Sequence, residues 1–351
     1  MYLPYAKLKN KKDLSFLEIK LSNIIHNYST IKSFVDDEVI VASVVKADAY
    51  GIGILKVVKI LHNIGCQHFF VNTIEEGISI RKHINNKNVS IYILTGYFGT
   101  NEYKKYNLIP IINSIYELEL FQKKYKNKIQ CAIKIDTGLS RRGLTIKEIK
   151  KYKERIRDIN PQLIISHLIC QDRIDNNVNE KQLSNFLKVK EILDDEYKYS
   201  LTATSGLFLD KKYHFNMIRV GAGLYGLVEN KKYKDQFLKV FSLYAKVLQI
   251  KHIDQGCSIG YNNSFVAKKN MTIAILGIGY ADGLNPYTKY FTNVNNKKCE
   301  FIGKMSMNYS FINISDIDIN KINVGNYLEI NCNDSQRFEL ITQLRIKKIY
   351  L

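Results

Sequence analysis

The chain has 351 residues, 46% of them hydrophobic, which is enough for two cores, and its 52 Lys and Arg against 33 Asp and Glu give a formal charge of +19. The excess is mostly lysine spread along the whole length beside Asn, Ile and Tyr, as an AT-rich coding sequence produces. Without a dense Lys/Arg block interleaved with aromatics, it argues against a nucleic-acid or membrane-surface partner. The six cysteines lie far apart, with no CxxC pair and no Cys/His cluster at zinc spacing, and no run reaches the roughly 18 apolar residues of a spanning helix, so a cytoplasmic protein with reduced thiols and no metal is expected.

Along the chain, eight short apolar, β-branched runs recur: VIVASVV, HFFVNT, SIYIL, LIPIIN, QCAIKID, LIISHLI, SLTATS and MIRVG. Between most of them lie segments with helical spacing and one polar side, namely ILKVVKILHNIG, IEEGISIRKHI, IYELELFQKKYK, TIKEIKKYKERI and EKQLSNFLKVKEIL. Continuous apolar strands alternating with amphipathic helices imply parallel strands buried on both faces. Eight such units, ending near residue 230, predict an α/β fold of the (β/α)8 TIM-type barrel class over residues 1–235. From about residue 236 the pattern changes to alternating strands with Gly/Asn/Asp turns, as in FLKVFSLYAKVLQI, MTIAILGIGY, CEFIGKMS, YSFINI and YLEIN, so residues 236–351 are expected to form a smaller, mostly β domain.

In a barrel, chemistry gathers at the C-terminal ends of the strands. Lys46 and Tyr50 follow the first run, Lys134 and Asp136 end the fifth, His167 the sixth, Ser205 the seventh, and Arg219 with Gly221 the eighth. A lysine shielded by apolar neighbours can lose its proton and act as a nucleophile on a carbonyl carbon, although a lone lysine there more often reaches past the strand end to solvent. The glycine-rich RVGAGLYG turn offers backbone N–H groups to a phosphate, and Ser205 a hydroxyl. Together these fit pyridoxal 5'-phosphate. Arg219, a charge at the end of a buried strand, needs a partner; facing a pyridine nitrogen, it would keep that nitrogen unprotonated. Lys134 and Asp136 could equally form a structural ion pair.

Nine segments resemble the alanine racemase family in that family's order: FLEIKLSNIIHNY, VVKADAYGIG, KIDTGLSRRG, SHLICQD, ATSG, RVGAGLYGL, SIGYNNSFVA, GYADG and GKMSMN. The resemblance spans nearly the whole chain and implies a pyridoxal-phosphate enzyme with a barrel and a C-terminal β domain. It implies that Lys46 carries the cofactor, that Tyr50, Ser205, Gly221 and the Ala222 amide hold its phosphate, that Arg219 faces the pyridine nitrogen and that His167 lies against the ring. Tyr261, in SIGYNNSF, would be the second base, contributed by the partner subunit of a head-to-tail homodimer, with His167 helping to position it. Arg141 would contact the phenolic side, supported by a Lys134 that can carry a carbamate, and Met307, Tyr280 and Asp172 would line the substrate entrance.

Racemisation needs an acid and a base on opposite faces of the α-carbon, which Lys46 and Tyr261 would supply. The expected reaction is interconversion of L- and D-alanine, feeding peptidoglycan. The chain departs from the family's usual residues at Lys20, Ile52, Arg173, Lys304 and Asn308, and QLRIKKIYL offers no clear counterpart of a phosphate-contacting C-terminal tyrosine. A racemase of the same fold acting on serine or another amino acid, a non-catalytic pyridoxal-phosphate carrier and a decarboxylase on a related barrel are the alternatives. The carrier lacks a β domain with its tyrosine, and the decarboxylase motifs are not recognisable here.

Overall fold

The computed structural model describes residues 2–3, 12–126, 128–193 and 197–351. Eight parallel strands, Ile40–Val44, His68–Val71, Ser90–Ile93, Ile109–Ile112, Ala132–Lys134, Leu163–Ile165, Lys198–Ser200 and Met217–Val220, pair in sequence order, and the eighth returns to pair with the first. The seam between the seventh and eighth strands carries an isolated bridge, Ala203 to Arg219, made through Arg219 N–H to Thr202 O, and the bond Asn216 N–H to Tyr199 O. Runs such as IPII and MIRV are buried at every position, as strands covered on both faces require. Phe70, Tyr92, Ile109, Ile111, Leu163, Ile165 and Met217 pack together as one core cluster of these strands.

Several barrel helices begin where side chains satisfy their first free N–H groups. Thr73 with Glu76 and Thr145 with Glu148 form reciprocal capping boxes, and Ser114 accepts from the Glu117 amide. The segment expected as one helix over TIKEIKKYKERI is two, Ile146–Lys151 and Lys153–Ile159, interrupted at Tyr152. After the seventh strand only 3₁₀ turns occur, Ser205–Phe208 and Lys211–Tyr213. The helix Leu21–Lys32, which precedes the first strand, docks on the segment after the eighth. Its Asn27 amide donates to Leu224 O and Leu238 O and accepts from Leu238 N–H, at 3.1, 2.9 and 2.7 Å.

Contacts divide the chain into this barrel unit, Ser22–Leu238, and a β unit made of Lys239–Leu351 with the described residues before Ser22. The expectation that the barrel begins at residue 1 is therefore corrected. Ser15–Ile19 lies between two strands of the β unit, antiparallel to Phe241–Ala245 and parallel to Lys347–Tyr350, which satisfy its backbone groups on both edges. The spine of that unit is the 13-residue strand Phe241–Ile253, which also pairs with Met271–Leu276 and Tyr327–Ile330. Phe16 stacks on Tyr244 at 5.1 Å and meets Tyr327 edge-on. No helix among the described residues is long and apolar enough to cross a membrane.

One buried cation stitches the barrel's outer loops. Arg81, 8% exposed, donates to the carbonyls of Tyr106, Asn86, Val89 and Asn107. Arg81→Met keeps much of the apolar stem but leaves these acceptors short of a donor, and a loss of about 3 kcal/mol is expected in urea unfolding, with the barrel's far-UV circular dichroism unchanged before the transition.

Candidate active site

A cavity of ≈ 250 Å³ opens at the C-terminal ends of the barrel strands, with apolar walls that include Val44, Phe70, Leu94 and Ile165. Nine of the side chains or backbone positions singled out from the sequence line it: Lys46, Tyr50, Lys134, Arg141, His167, Ser205, Arg219, Gly221 and Ala222.

Lys46 stands one residue beyond the first strand, after Val45, and the chain then makes a left-handed turn. Ala47, Asp48, Ala49 and Tyr50 have φ of 54°, 54°, 53° and 56°, and Gly51 and Gly53 follow at 82° and 115°. Left-handed helix costs roughly 1–2 kcal/mol per non-glycine residue, so four in succession require support from elsewhere. The turn places Lys46 and Tyr50 on the same cavity, and the Asp48 carboxylate accepts the Ile54 N–H at 2.8 Å where the next helix begins. Burial pushes the Tyr50 phenol up to about 12, so it stays a protonated donor.

At the end of the eighth strand, which pairs with the first, a Cβ at Gly221 would stand 2.4 Å from the Tyr50 hydroxyl, so only glycine lets the two approach. Thr204 Oγ1 accepts the N–H groups of Gly221 and Gly223, at 3.1 and 3.2 Å, and so holds the glycine turn. Two 3₁₀ turns begin at Ser205 and Ala222, and the first N–H groups of such turns lack partners within the turn. Sequence reading missed Thr204, whose signal is its place in ATSG just before Ser205. It also missed Gln171, which lines the cavity while its Oε1 accepts the Ala203 N–H at 3.1 Å.

Among the described residues, four cationic side chains, Lys46, Lys134, Arg141 and Arg219, line this space, and no Asp or Glu does. Burial and the neighbouring Arg141 lower the Lys46 amine. Burial, followed by Arg141, Arg219 and Arg142, brings Lys134 down to about 8. Arg219 is 5% exposed, and burial lowers it to about 9, so it remains charged at neutral pH. The partner that its burial demands is a set of neutral acceptors: Ser200 O at 2.8 Å, Ser200 Oγ at 2.5 Å, Ser166 O and Leu201 O. Burial first, then Arg219, Arg141, Lys134 and Lys46, pushes His167 down to about 3, which leaves a neutral ring beside the cations.

Asp136 directs its carboxylate to the Gly138 and Ser140 amides of its own loop, at 2.9 and 3.1 Å. Asp172 is exposed on a turn and is not among the lining residues. The remaining expected residues belong to the β unit. Tyr261 opens a 3₁₀ turn and is 63% exposed; the preceding Gly260 has φ 80° and lies so close to Lys304 that a Cβ would stand 2.8 Å from its carbonyl. The 303–308 loop also takes N–H donations from Tyr280 to Ser306 O and from Ala281 to Met307 O, so the Tyr261 and Tyr280 turns share one support. Tyr280 and Met307 are exposed as well. No group of His, Cys, Asp and Glu among the described residues is arranged to hold a metal.

Two family profiles match this chain: alanine racemase, N-terminal domain, over residues 19–229, and alanine racemase, C-terminal domain, over residues 240–344. The alanine racemase of Rickettsia canadensis is 34% identical over 330 residues, covering 90% of each chain, and that of Rickettsia akari is 32% identical over 364, covering 96% of this chain and 99% of its own. Among solved structures, alanine racemase from Bartonella henselae with covalently bound pyridoxal phosphate matches with a TM-score of 0.89 at 31% identity, over 97% of this chain and 100% of that one. The biosynthetic alanine racemase from Pseudomonas aeruginosa shares the fold, with a TM-score of 0.87 at 24% identity over 96% and 99% of the two chains.

The His167 environment has a consequence for stability. Its pKa in the fold, about 3, lies below the unfolded value of about 6.5, so the unfolded chain takes up the proton first as pH falls. Stability from this residue is complete above pH 6.5 and declines as pH drops toward 3, by an order-of-magnitude figure of ~2 kcal/mol at pH 5. Urea midpoints measured at pH 7 and pH 5 should therefore fall less in His167→Gln than in the parent chain, while His68, which burial holds at about 4, contributes equally to both.

Proposed function

Because the chain belongs to the alanine racemase family, we propose that it is a pyridoxal-phosphate-dependent racemase that interconverts L- and D-alanine. The observation that carries this reading is the cavity itself: among the described residues its lining has four cationic side chains and no carboxylate, beside a glycine turn with no room for a Cβ, which suits a ligand with several negative charges. The residues fit the cofactor. Lys46 would hold its aldehyde carbon, Tyr50, Ser205, Gly221 and Ala222 its phosphate, and Arg219 its pyridine nitrogen, with neutral His167 against the ring. When bound, pyridoxal phosphate supplies the electron sink that lets an amino acid lose its α-proton.

The chain's own residues do the rest. Arg219, protonated and held by carbonyls, would face the cofactor's pyridine nitrogen and, as a cation there, would disfavour protonation of that nitrogen. Lys46 Nζ moves the proton on one face, helped by the burial and the Arg141 charge that favour its neutral amine. Tyr261 Oη moves it on the other. Its exposure, with that of Tyr280 and Met307 on the same loop system, supports a homodimer in which the partner's Tyr261 completes each site. Arg141 steadies the phenolic side. Lys134, held at about 8, has neutral amine at mildly basic pH that can attack carbon dioxide, release a proton and become a carbamate anion among the arginines. In a bacterium the D-alanine would be made in the cytosol and serve peptidoglycan.

The test is cofactor-loaded protein with L-alanine in deuterated water, following α-deuterium incorporation and loss of optical rotation. The parent chain should do both, and Lys46→Ala and Tyr261→Phe should each lower kcat by roughly 10³-fold. A protein that binds the cofactor yet neither exchanges nor racemises alanine overturns the substrate assignment, and serine is then the next amino acid to assay.

A further inference from the structure

The left-handed turn after Lys46 is bonded to a residue from the next strand's loop. Glu76 sits at the third position of the helix Ile74–His83, after the second barrel strand. One of its carboxylate oxygens, Oε2, accepts the N–H groups of Asn72 and Thr73, at 2.8 and 3.3 Å, in the loop leaving that strand. The other, Oε1, accepts the Asp48 N–H at 3.2 Å, in the middle of the left-handed turn. A single side chain therefore ties together the loops that follow the first and second strands. The helix cap requires only the first of these contacts, since Thr73 Oγ1 accepts the Glu76 N–H and the Glu76 side chain answers at the cap residue's own amide. The bond to Asp48 is additional, and it falls on backbone that Ala47, Asp48, Ala49 and Tyr50 hold in a disfavoured region.

We infer that Glu76 is a positioning residue of this site: by clamping the Asp48 amide it holds the Ala47–Tyr50 turn left-handed and so presents Lys46 and Tyr50 to the cavity together. The inference rests on the proposed cofactor role of those two residues, but the clamp itself does not. Its geometry explains the need for a carboxylate. Two oxygens must accept from two different loops at once, whereas glutamine has one acceptor oxygen and an NH₂ that cannot accept. Asp48 complements the clamp from the other side, its carboxylate fixing the Ile54 N–H as the chain leaves the turn.

The experiment compares Glu76→Ala, Glu76→Gln and Thr73→Ala in the full chain without cofactor, by hydrogen–deuterium exchange of peptides spanning 47–54. Thr73→Ala removes the cap hydroxyl and leaves the Glu76–Asp48 contact in place, so it reports the cost of a weakened helix start alone. Exchange in the 47–54 segment should rise ~10- to 100-fold in Glu76→Ala, less in Glu76→Gln, and by no more than about twofold in Thr73→Ala. Titration with pyridoxal phosphate, read from its absorbance, should then show weaker retention by about tenfold or more in Glu76→Ala but not in Thr73→Ala. Unchanged exchange in Glu76→Ala, or equal effects in Glu76→Ala and Thr73→Ala, would overturn the clamp. Should Glu76→Ala fail to fold, the ratio of Glu76→Gln to Thr73→Ala decides on the same criterion. A parent chain that takes up no pyridoxal phosphate while the exchange ratios hold would sink the cofactor reading and leave the clamp standing.

Discussion

A guanidinium buried without a carboxylate closes the barrel. Along the seam between the seventh and eighth strands the backbone ladder is reduced to an isolated bridge and one further bond, Asn216 N–H to Tyr199 O, and Arg219 spans the gap by donating to Ser200, Leu201 and Ser166 from the last strand. The same side chain contributes one of the positive charges of the cavity above. Structural closure and electrostatic character are therefore coupled: a neutral residue at 219 would leave carbonyls unsatisfied and would also change what the mouth can bind. The coupling explains why so polar a group stands inside a strand that is otherwise Met, Ile and Val.

Around that seam the cations are crowded, and crowding shapes them. Lys134 is lowered by three arginines as well as by burial, and His167 is held neutral by the charges on four neighbours as well as by its own desolvation. A site of this kind is unfavourable when empty of anions, since like charges at close quarters repel most strongly where water is scarce. An anionic group bound there would relieve the repulsion, and its affinity would draw on destabilisation already present in the fold. The strained turn at Lys46 follows the same logic in backbone form, with conformational energy committed in advance to the position of two side chains.

Much of this was legible beforehand, for reasons that differ between parts. The eight strands declared themselves because parallel strands covered on both faces must be continuously apolar, and the residues at their ends stood out as polar interruptions of that pattern. Gly221 could be suspected from its motif, but its reason is spatial, the Tyr50 hydroxyl lying where a Cβ would be. The split of TIKEIKKYKERI at Tyr152 was not legible, since its apolar spacing continues through the break. Neither was the allegiance of Ser15–Ile19, because a five-residue apolar strand does not say which of two sheets will receive it; its partners lie more than 200 residues away. Thr204 and Glu76 escaped notice because both act on backbone amides, and backbone amides have no letter in a sequence.

The allegiance of Ser15–Ile19 has a temporal side. This strand is synthesised before the whole barrel, yet the strands on either side of it, Phe241–Ile253 and Lys347–Tyr350, are synthesised after it. While residues 22–238 emerge from the ribosome, the segment SFLEI waits with Phe16, Leu17 and Ile19, all buried in the finished fold, lacking their partners. The nascent chain thus carries a sticky apolar edge for most of its translation. That interval is when a chaperone, or another nascent copy of the same strand, has its opportunity to bind.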